Sequence, residues 1–106
     1  MKYKVQYSPE ALNDLDEIWE YILLELGNPN AAENVVNKMM DTIDALEDFP
    51  ERGAPLSSVA EVESDYRFVL SGNYIAFYRV EGKTVQVDRV LYQGRDYLRV
   101  LFGDMP

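Results

Sequence analysis

Apolar residues along this chain of 106 residues repeat first at every second position, then at helical spacing, and then at every second position again. Alternation of apolar and polar residues predicts a half-buried strand, whereas apolar residues at every third or fourth position predict an amphipathic helix. Residues 50–65 are polar and broken by proline and glycine, which predicts a long connection. The predicted elements are strands over 2–7, 66–70, 74–80 and 84–91 and helices over 9–26, 31–48 and 96–102.

Capping residues set the limits of the first two helices. Ser8-Pro9-Glu10 combines a hydroxyl N-cap, a proline at the first helical position and an acid in the first turn. Gly27 is a typical C-cap, and Asn30 is predicted to cap the second helix. Because so few residues separate the two helices, they are predicted to form an antiparallel helical hairpin.

The order of these elements, βααβββ with a short C-terminal helix, predicts an α+β fold. The helical hairpin should pack on one face of a small, mostly antiparallel sheet, and we expect the opposite face to be open to solvent or to a partner. The length is that of one domain and no repeat or linker interrupts it, so residues 1–106 are predicted to form a single domain.

Composition narrows the classes of protein to consider. The chain contains no cysteine, which excludes a disulfide framework and a thiolate zinc site. No apolar run approaches the roughly 20 residues that span a bilayer, and the N-terminus has no apolar leader segment, so we expect a cytoplasmic protein without membrane contact. The net charge is −9, but residues 66–106 hold six basic residues and four acids. A phosphate-binding surface is therefore expected only in this last part.

The same last part carries a resemblance to a known family. SGNYIAFYRVEGKTVQVDRVLYQGRDYLRVLF resembles the C-terminal signature of the RelE/ParE superfamily of toxins from type II toxin–antitoxin systems. SPEALNDLDEIWEYI is similar to the opening helix of that superfamily, LEDFPERGAP to its loop after the helical hairpin, and DYRFVLSGNY to the strand segment that follows. The resemblance covers nearly the whole chain. It implies a RelE/ParE-like fold, a growth-arresting toxin and a cognate antitoxin as partner, with no cofactor and no metal.

The resemblance leaves three activities open. Some members of the superfamily cleave mRNA on the ribosome, and as such an enzyme this chain would be a metal-independent endoribonuclease. ParE-like members bind and poison DNA gyrase without chemistry of their own, and the long hairpin and the FPERGAP loop resemble that branch somewhat more. A degenerate member would only bind its antitoxin.

RNA cleavage by attack of the ribose 2′-hydroxyl needs a base, cations around the phosphate and an acid for the leaving oxygen. Arginine suits the phosphate because its planar fork contacts two oxygens at once. Arg67 and Arg95 fall where the resemblance places phosphate-contacting arginines, and Tyr92 falls where many members carry a histidine. These three are the candidate catalytic residues.

Two features of the sequence weaken the case for an endoribonuclease. The chain has no histidine, and a tyrosine with an ordinary pKa of about 10 is neutral at pH 7 and a poor base. Ribosome-dependent members place a pair of lysines before the strand predicted here over 66–70, and this pair is missing. The stretch SSVAEVESD in its place offers Glu61 and Glu63 as possible bases.

Several neighbouring residues are assigned structural roles. Arg79 is predicted to pair with Asp88 across a hairpin. Arg89 is predicted to have a structural role. Its side chain should lie on the same side of the strand as Val85 and Val87, unless a bulge shifts the register. Tyr97 is predicted to pack the terminal helix on the sheet.

The antitoxin is expected to bury an amphipathic helix or an added strand against the helical hairpin or the sheet. Its basic residues would face the acids of the two helices. Leu23, Met40 and Leu101 lie off the main apolar stripes or near the end of the chain, and they are the candidate contacts.

Overall fold

Two long helices lie against one face of a five-stranded mixed sheet in the computed structural model, which describes residues 2–103. Short 3₁₀ turns, Ala45–Glu47 and Leu56–Ser58, flank the connection into the sheet. The strands are β1 Lys4–Tyr7, β2 Ala54–Pro55, β3 Arg67–Ser71, β4 Tyr74–Glu81 and β5 Thr84–Tyr92, and the helices are α1 Pro9–Leu26, α2 Pro29–Asp44 and α3 Tyr97–Phe102. This is the predicted α+β, RelE/ParE-like arrangement, with β2 as an additional short strand.

The strand order in the sheet is β1-β5-β4-β3-β2. β1 runs parallel to β5, with Val5 opposite Val85, and the other neighbouring pairs are antiparallel. The helical hairpin is the crossover that lets β1 run parallel to β5, since a parallel pair cannot be joined by a tight turn. The prediction of a mostly antiparallel sheet is thus confirmed.

Helix α1 has the predicted caps. The Ser8 hydroxyl accepts a hydrogen bond from the Ala11 amide at 2.9 Å, and Gly27 takes a positive φ of 58° at the C-terminus. The predicted cap of α2 is wrong: Asn28, not Asn30, accepts from the backbone, at 3.0 Å from the Asn30 amide. The physical reason is Pro29, which lacks a donor and fits the first helical position.

Helix α2 ends earlier than its apolar pattern predicts. Its α-helical hydrogen bonds stop at Asp44, and the next three residues tighten into the 3₁₀ turn Ala45–Glu47. The apolar residue of that turn, Leu46, is still fully buried. Periodicity therefore continues past the helix and misplaces its end by four residues.

The main core fills the space between the helices and the sheet. It contains buried residues of both helices together with Val69, Ala76, Tyr78, Val85 and Val90 from the strands. A bulge in β5 controls which side chains reach it, because Phe77 lies opposite Arg89 while Tyr78 lies opposite Val87. The bulge leaves Asp88 unpaired, and after it Val90 joins this core in place of Leu91.

A second apolar cluster covers the opposite face of the sheet, so the expectation that this face is open is wrong for its centre. Leu56, Ile75, Phe77 and Leu91 are buried there. Residues of α3 and of the 56–68 segment pack over them because both stretches carry apolar residues that the sheet alone would leave in water. The covering residues are Ala60, Val62, Tyr66, Tyr97, Leu98, Val100, Leu101 and Phe102, and Phe68 of β3 packs beside the cluster.

Helices long and apolar enough to cross a bilayer are absent from residues 2–103.

Candidate functional site

The guanidinium of Arg67, the first candidate catalytic residue, makes hydrogen bonds to other groups of the protein. Its Nη2 donates hydrogen bonds to the carbonyl oxygens of Gly53 at 2.6 Å and Glu51 at 3.0 Å. Its Nε atom is buried without a hydrogen-bond partner among residues 2–103. Two N–H donors of Arg67 that could bind a phosphate are therefore hydrogen-bonded to the loop before β2.

Tyr78 secures the same loop from the core side. Its hydroxyl donates to the carbonyl of Pro50 at 2.7 Å and accepts from the amide of Gly53 at 3.1 Å, while its ring is fully buried. Gly53 packs so closely that an added Cβ would lie 2.4 Å from the carbonyl oxygen of Phe68. Residues 49–53, called the 49–53 loop below, are thus fixed at both ends and in the middle.

Tyr92 and Arg95 lie at the other end of the sheet. Tyr92 pairs with Tyr74 at the start of β4, whereas Arg67 pairs with Tyr78 four residues further along. At the rise of a strand, four residues correspond to about 13 Å. The structure brings Tyr92 and Arg95 together and places Arg67 away from both.

Tyr92 and Arg95 line a groove of about 760 Å³ between α1 and the adjoining ends of β4 and β5, called the α1 groove below. Tyr92 is 57 % exposed, and its ring meets that of Tyr74 edge-on at 6.0 Å between centroids. Arg95 is exposed, and its side chain makes no ion pair or hydrogen bond with any described residue. The groove is lined by Asp14, Glu17, Ile18, Tyr21, Ile22, Glu25, Leu26, Val35, Asn73, Tyr74, Val90, Leu91, Tyr92 and Arg95.

One tyrosine of the α1 groove, Tyr74, is protonated at neutral pH and is therefore not a base there. Burial raises the pKa of Tyr74 above its ordinary value, and the neighbouring Tyr21 and Tyr92 raise it further. A phenol whose pKa is raised stays protonated at neutral pH. The alternative bases Glu61 and Glu63 are exposed on the segment that packs over the second apolar cluster, on the far face of the sheet.

Arg89 joins α1 to β5, which confirms its predicted structural role. Its Nε and Nη2 donate to the two carboxylate oxygens of Asp14 at 2.7 and 2.8 Å. Asp14 is only 3 % exposed and also accepts from the amide of Val90 at 2.9 Å. The hydrogen bond to Asp14 is the largest cause of a raised pKa of Arg89, whose positive charge is thereby matched.

The other structural predictions are confirmed as well. Arg79 donates to Asp88 at 2.9 Å and lies over the ring of Tyr66, with 5.4 Å from Cζ to the ring centroid. Burial, followed by the interaction with Asp88, raises the pKa of Tyr66 to about 12. Tyr97 packs against Phe77 with ring centroids 5.1 Å apart.

The apolar residues that the structure exposes differ from the predicted antitoxin contacts. Leu23 and Leu101 are partly buried against the two cores, and only Met40 is exposed, at 37 %. Tyr21 and Leu24 of α1 are more exposed than Met40. The sequence did hold a signal for them, because both lie outside the apolar stripe of α1.

The sequence also held little to indicate the 49–53 loop as a fixed element, since its anchors are far away in the chain. Arg67 and Tyr78 lie 14 and 25 residues beyond Gly53. In the part of the chain that the structure describes, residues 2–103, the three candidate catalytic residues do not surround one point, because Arg67 lies apart from Tyr92 and Arg95.

Comparison with known proteins shows which protein family the chain matches. The model of the family described as ParE toxin of type II toxin–antitoxin system, parDE, matches residues 5–97. The chain is 35 % identical over 86 residues to Toxin ParE1 of Caulobacter vibrioides, covering 81 % of this chain and 84 % of that protein. It is 31 % identical over 99 residues to Putative toxin Y4kP of Sinorhizobium fredii, covering 92 % and 96 %.

Solved structures share the fold. The chromosomal ParDE toxin–antitoxin system from P. aeruginosa gives a TM-score of 0.73 at 24 % identity, with 86 % of this chain and 96 % of that chain covered. The toxin–antitoxin complex RelBE2 from Mycobacterium tuberculosis gives a TM-score of 0.59 at 24 % identity, with coverage of 87 % and 99 %.

Proposed function

This chain belongs to the ParE toxin family of type II toxin–antitoxin systems, and from that membership we propose that it arrests growth by binding and poisoning DNA gyrase, without cleaving RNA. The observation that supports this choice over an endoribonuclease is the position of Arg67. Its Nη2 is held by the carbonyls of Glu51 and Gly53, and Arg67 pairs with Tyr78, four residues along β4 from the Tyr74 that pairs with Tyr92. A phosphorane would need these cations around one group of oxygens.

The charge of the α1 groove also favours a protein partner over RNA. Glu17 and Glu25 stand on its helical wall, and Arg95 is the one cation among the residues that line it. Binding to a polyphosphate backbone depends on Lys and Arg that displace counterions, and carboxylates at the same surface oppose it.

The partner that neutralises the toxin in this proposal is a cognate antitoxin, and its binding segment occupies the α1 groove. Glu17 and Glu25 are eight residues apart on α1, which corresponds to about 12 Å along a helix. An amphipathic segment with apolar residues toward Tyr21 and Tyr92 and basic residues toward the two carboxylates would match this pattern.

The proposal is tested with purified toxin in two parallel assays, gyrase with relaxed plasmid and ATP, and translating ribosomes with a defined mRNA. We expect inhibition of supercoiling and accumulation of linear DNA, while the mRNA stays intact. Cut mRNA with unchanged supercoiling would refute the proposal. If neither assay responds and expression is harmless, the chain only binds its antitoxin.

Tyr92→Phe adds a matched variant to both assays. It removes the hydroxyl that RNA cleavage would use and keeps the ring that packs against Tyr74. We expect inhibition of gyrase to remain within about twofold of wild type, since the hydroxyl takes part in no bond-making step. A loss of growth arrest with unchanged folding would instead favour the endoribonuclease.

A further inference from the structure

The 49–53 loop is an exposed segment that two internal side chains hold in place. Its residues Phe49, Glu51 and Arg52 face solvent, and Phe49 is 66 % exposed. We propose that this loop is the surface by which the toxin grips its folded protein target. This inference rests on the proposed function in one respect only, namely that the target is a protein.

The backbone of the 49–53 loop is held by several hydrogen bonds. Arg67 and Tyr78 together make four hydrogen bonds to the backbone of residues 50–53. A further backbone bond, from the Arg52 amide to the Phe49 carbonyl at 3.0 Å, closes the turn. Loops are ordinarily the mobile part of a fold, and fixing one before binding lowers the conformational entropy that binding must remove.

The surface around the 49–53 loop has the composition of a protein–protein interface. A depression of about 770 Å³ next to it is lined by Tyr3, Asp48, Phe49, Pro50, Glu51, Arg52 and Val80. An aromatic and aliphatic centre surrounded by charges of both signs is the anatomy of a protein–protein interface. Phe49 and Arg52 are of the residue classes that dominate or are enriched in such interfaces.

The charge and the position of the loop favour a folded protein target over other partners. Asp48 and Glu51 offset Arg52 at this surface, so it lacks the excess of cations that nucleic acid requires. The loop lies at the Tyr78 end of β4, while the α1 groove proposed for the antitoxin lies at the Tyr74 end. A loop that is fixed before binding suits a folded, preformed partner, whereas a flexible antitoxin segment suits a groove.

The test uses full-length variants and gyrase holoenzyme as the probe. We expect Phe49→Ala and Arg52→Glu each to raise the toxin concentration for half-inhibition of supercoiling by about tenfold or more, the effect of removing an interface anchor. Phe49→Trp should retain inhibition. Because Phe49 and Arg52 are exposed, melting temperatures measured by circular dichroism should stay close to wild type.

Matched controls carry the same changes elsewhere on the surface. Val59→Ala truncates another exposed apolar side chain, and Lys38→Glu reverses an exposed charge on α2. Both should inhibit within about twofold of wild type, which is the usual scale for residues outside an interface. Wild-type inhibition by both loop variants, or equal losses in the controls, would overturn the inference.

The same variants separate failure of this inference from failure of the proposed function. If wild-type toxin leaves gyrase unaffected, the choice of gyrase is wrong, and the loop is then tested by growth arrest on induced expression. Growth arrest does not depend on which protein is the target. Loss of arrest in Phe49→Ala and Arg52→Glu at normal protein levels, with mRNA intact in cells expressing the wild type, supports the loop; full arrest in both variants, or cut mRNA, refutes it.

Discussion

Asp14 joins α1 to β5 through buried hydrogen bonds, in addition to the apolar packing of the helix on the sheet. It is a buried carboxylate in the first half of a helix, and it receives three hydrogen bonds, two from Arg89 and one from the Val90 amide. A buried charge is tolerated only when it is paired and hydrogen-bonded in this way. The pair also spans 75 residues of sequence, so it fixes tertiary structure and not a local turn.

Asp14→Ala should therefore destabilise the protein far more than loss of a surface acid. Removing one partner leaves Arg89 partly buried without its counter-charge, which costs about 3 kcal/mol in the free energy of unfolding. Urea denaturation measures this loss, and Asp16→Ala, an exposed acid on the same helix, is the control with little change. Replacing both partners together, Asp14→Leu with Arg89→Met, should recover most of the stability, and a double variant as weak as Asp14→Ala would contradict the argument.

Tyr7 carries a buried hydroxyl with no partner among residues 2–103. Leaving a polar group unsatisfied in this way costs roughly 1–3 kcal/mol, so Tyr7→Phe should stabilise the protein by about 1 kcal/mol. A thermal melt at pH 7 measures the gain as a higher midpoint temperature. An unchanged or lower midpoint would show that the hydroxyl is satisfied.

Tyr7 and Tyr66 also predict how stability depends on alkaline pH. Burial raises the pKa of each to about 12, with Asp44 contributing at Tyr7 and Asp88 at Tyr66. The native state therefore holds these protons more tightly than the unfolded chain, whose tyrosines titrate at about 10. Their contribution is complete below pH 10 and is lost as the pH rises from about 10 to about 12. Tyr7→Phe should show a shallower loss of unfolding free energy over this range.

At the scale of elements, the 49–53 loop depends on a glycine. Gly53→Ala would place a Cβ 2.4 Å from the carbonyl oxygen of Phe68 and 2.6 Å from the hydroxyl of Tyr78, so the loop or β3 must shift. We expect a loss of about 2 kcal/mol, in the range for overpacking. Gly94→Ala is the control, since its Cβ would meet only the exposed ring of Tyr92. Equal melting temperatures for the two variants would contradict this account of the loop.

An element was predictable from the sequence when the residues that determine it lie close to it along the chain. Ser8, Pro9 and Gly27 act on adjacent residues, and the limits of α1 were predicted correctly from them. The bulge at Asp88 depends on pairing with another strand, and no local pattern in the sequence predicts it. The site shows the same division, because the pairing of Arg79 with Asp88 was predicted from a hairpin while the engagement of Arg67 with Gly53 was not.

The covering of the second sheet face was also beyond the sequence pattern. Residues 56–66 and α3 are short, irregular or polar when taken singly, and their apolar residues become a layer only when they meet over Phe77. Periodicity describes an element by itself. It does not state which of two faces a later segment will cover.

At the scale of the whole molecule, the acidic middle of the chain should govern how a basic antitoxin associates. Glu17→Gln with Glu25→Gln removes two charges from the wall of the α1 groove and preserves the size of both side chains. With the co-purified antitoxin, we expect a slower association rate at low salt and a weaker dependence of that rate on salt. Glu33→Gln with Asp41→Asn, on α2, is the control. An unchanged association rate would remove the groove from the interface.

The pairing of β1 with β5 has a consequence for how the protein is made. Among residues 2–103, β1 pairs with β5 and with no other strand, so β1 can join the sheet only after residues 84–87 have been synthesised. Strand pairing across such a sequence separation is slow compared with formation of the helical hairpin. The 49–53 loop receives its anchors from Arg67 and Tyr78 only at that late stage. The α1 groove also needs β4 and β5, so the surface proposed for the antitoxin and the anchored 49–53 loop are completed together, after the helical hairpin has formed.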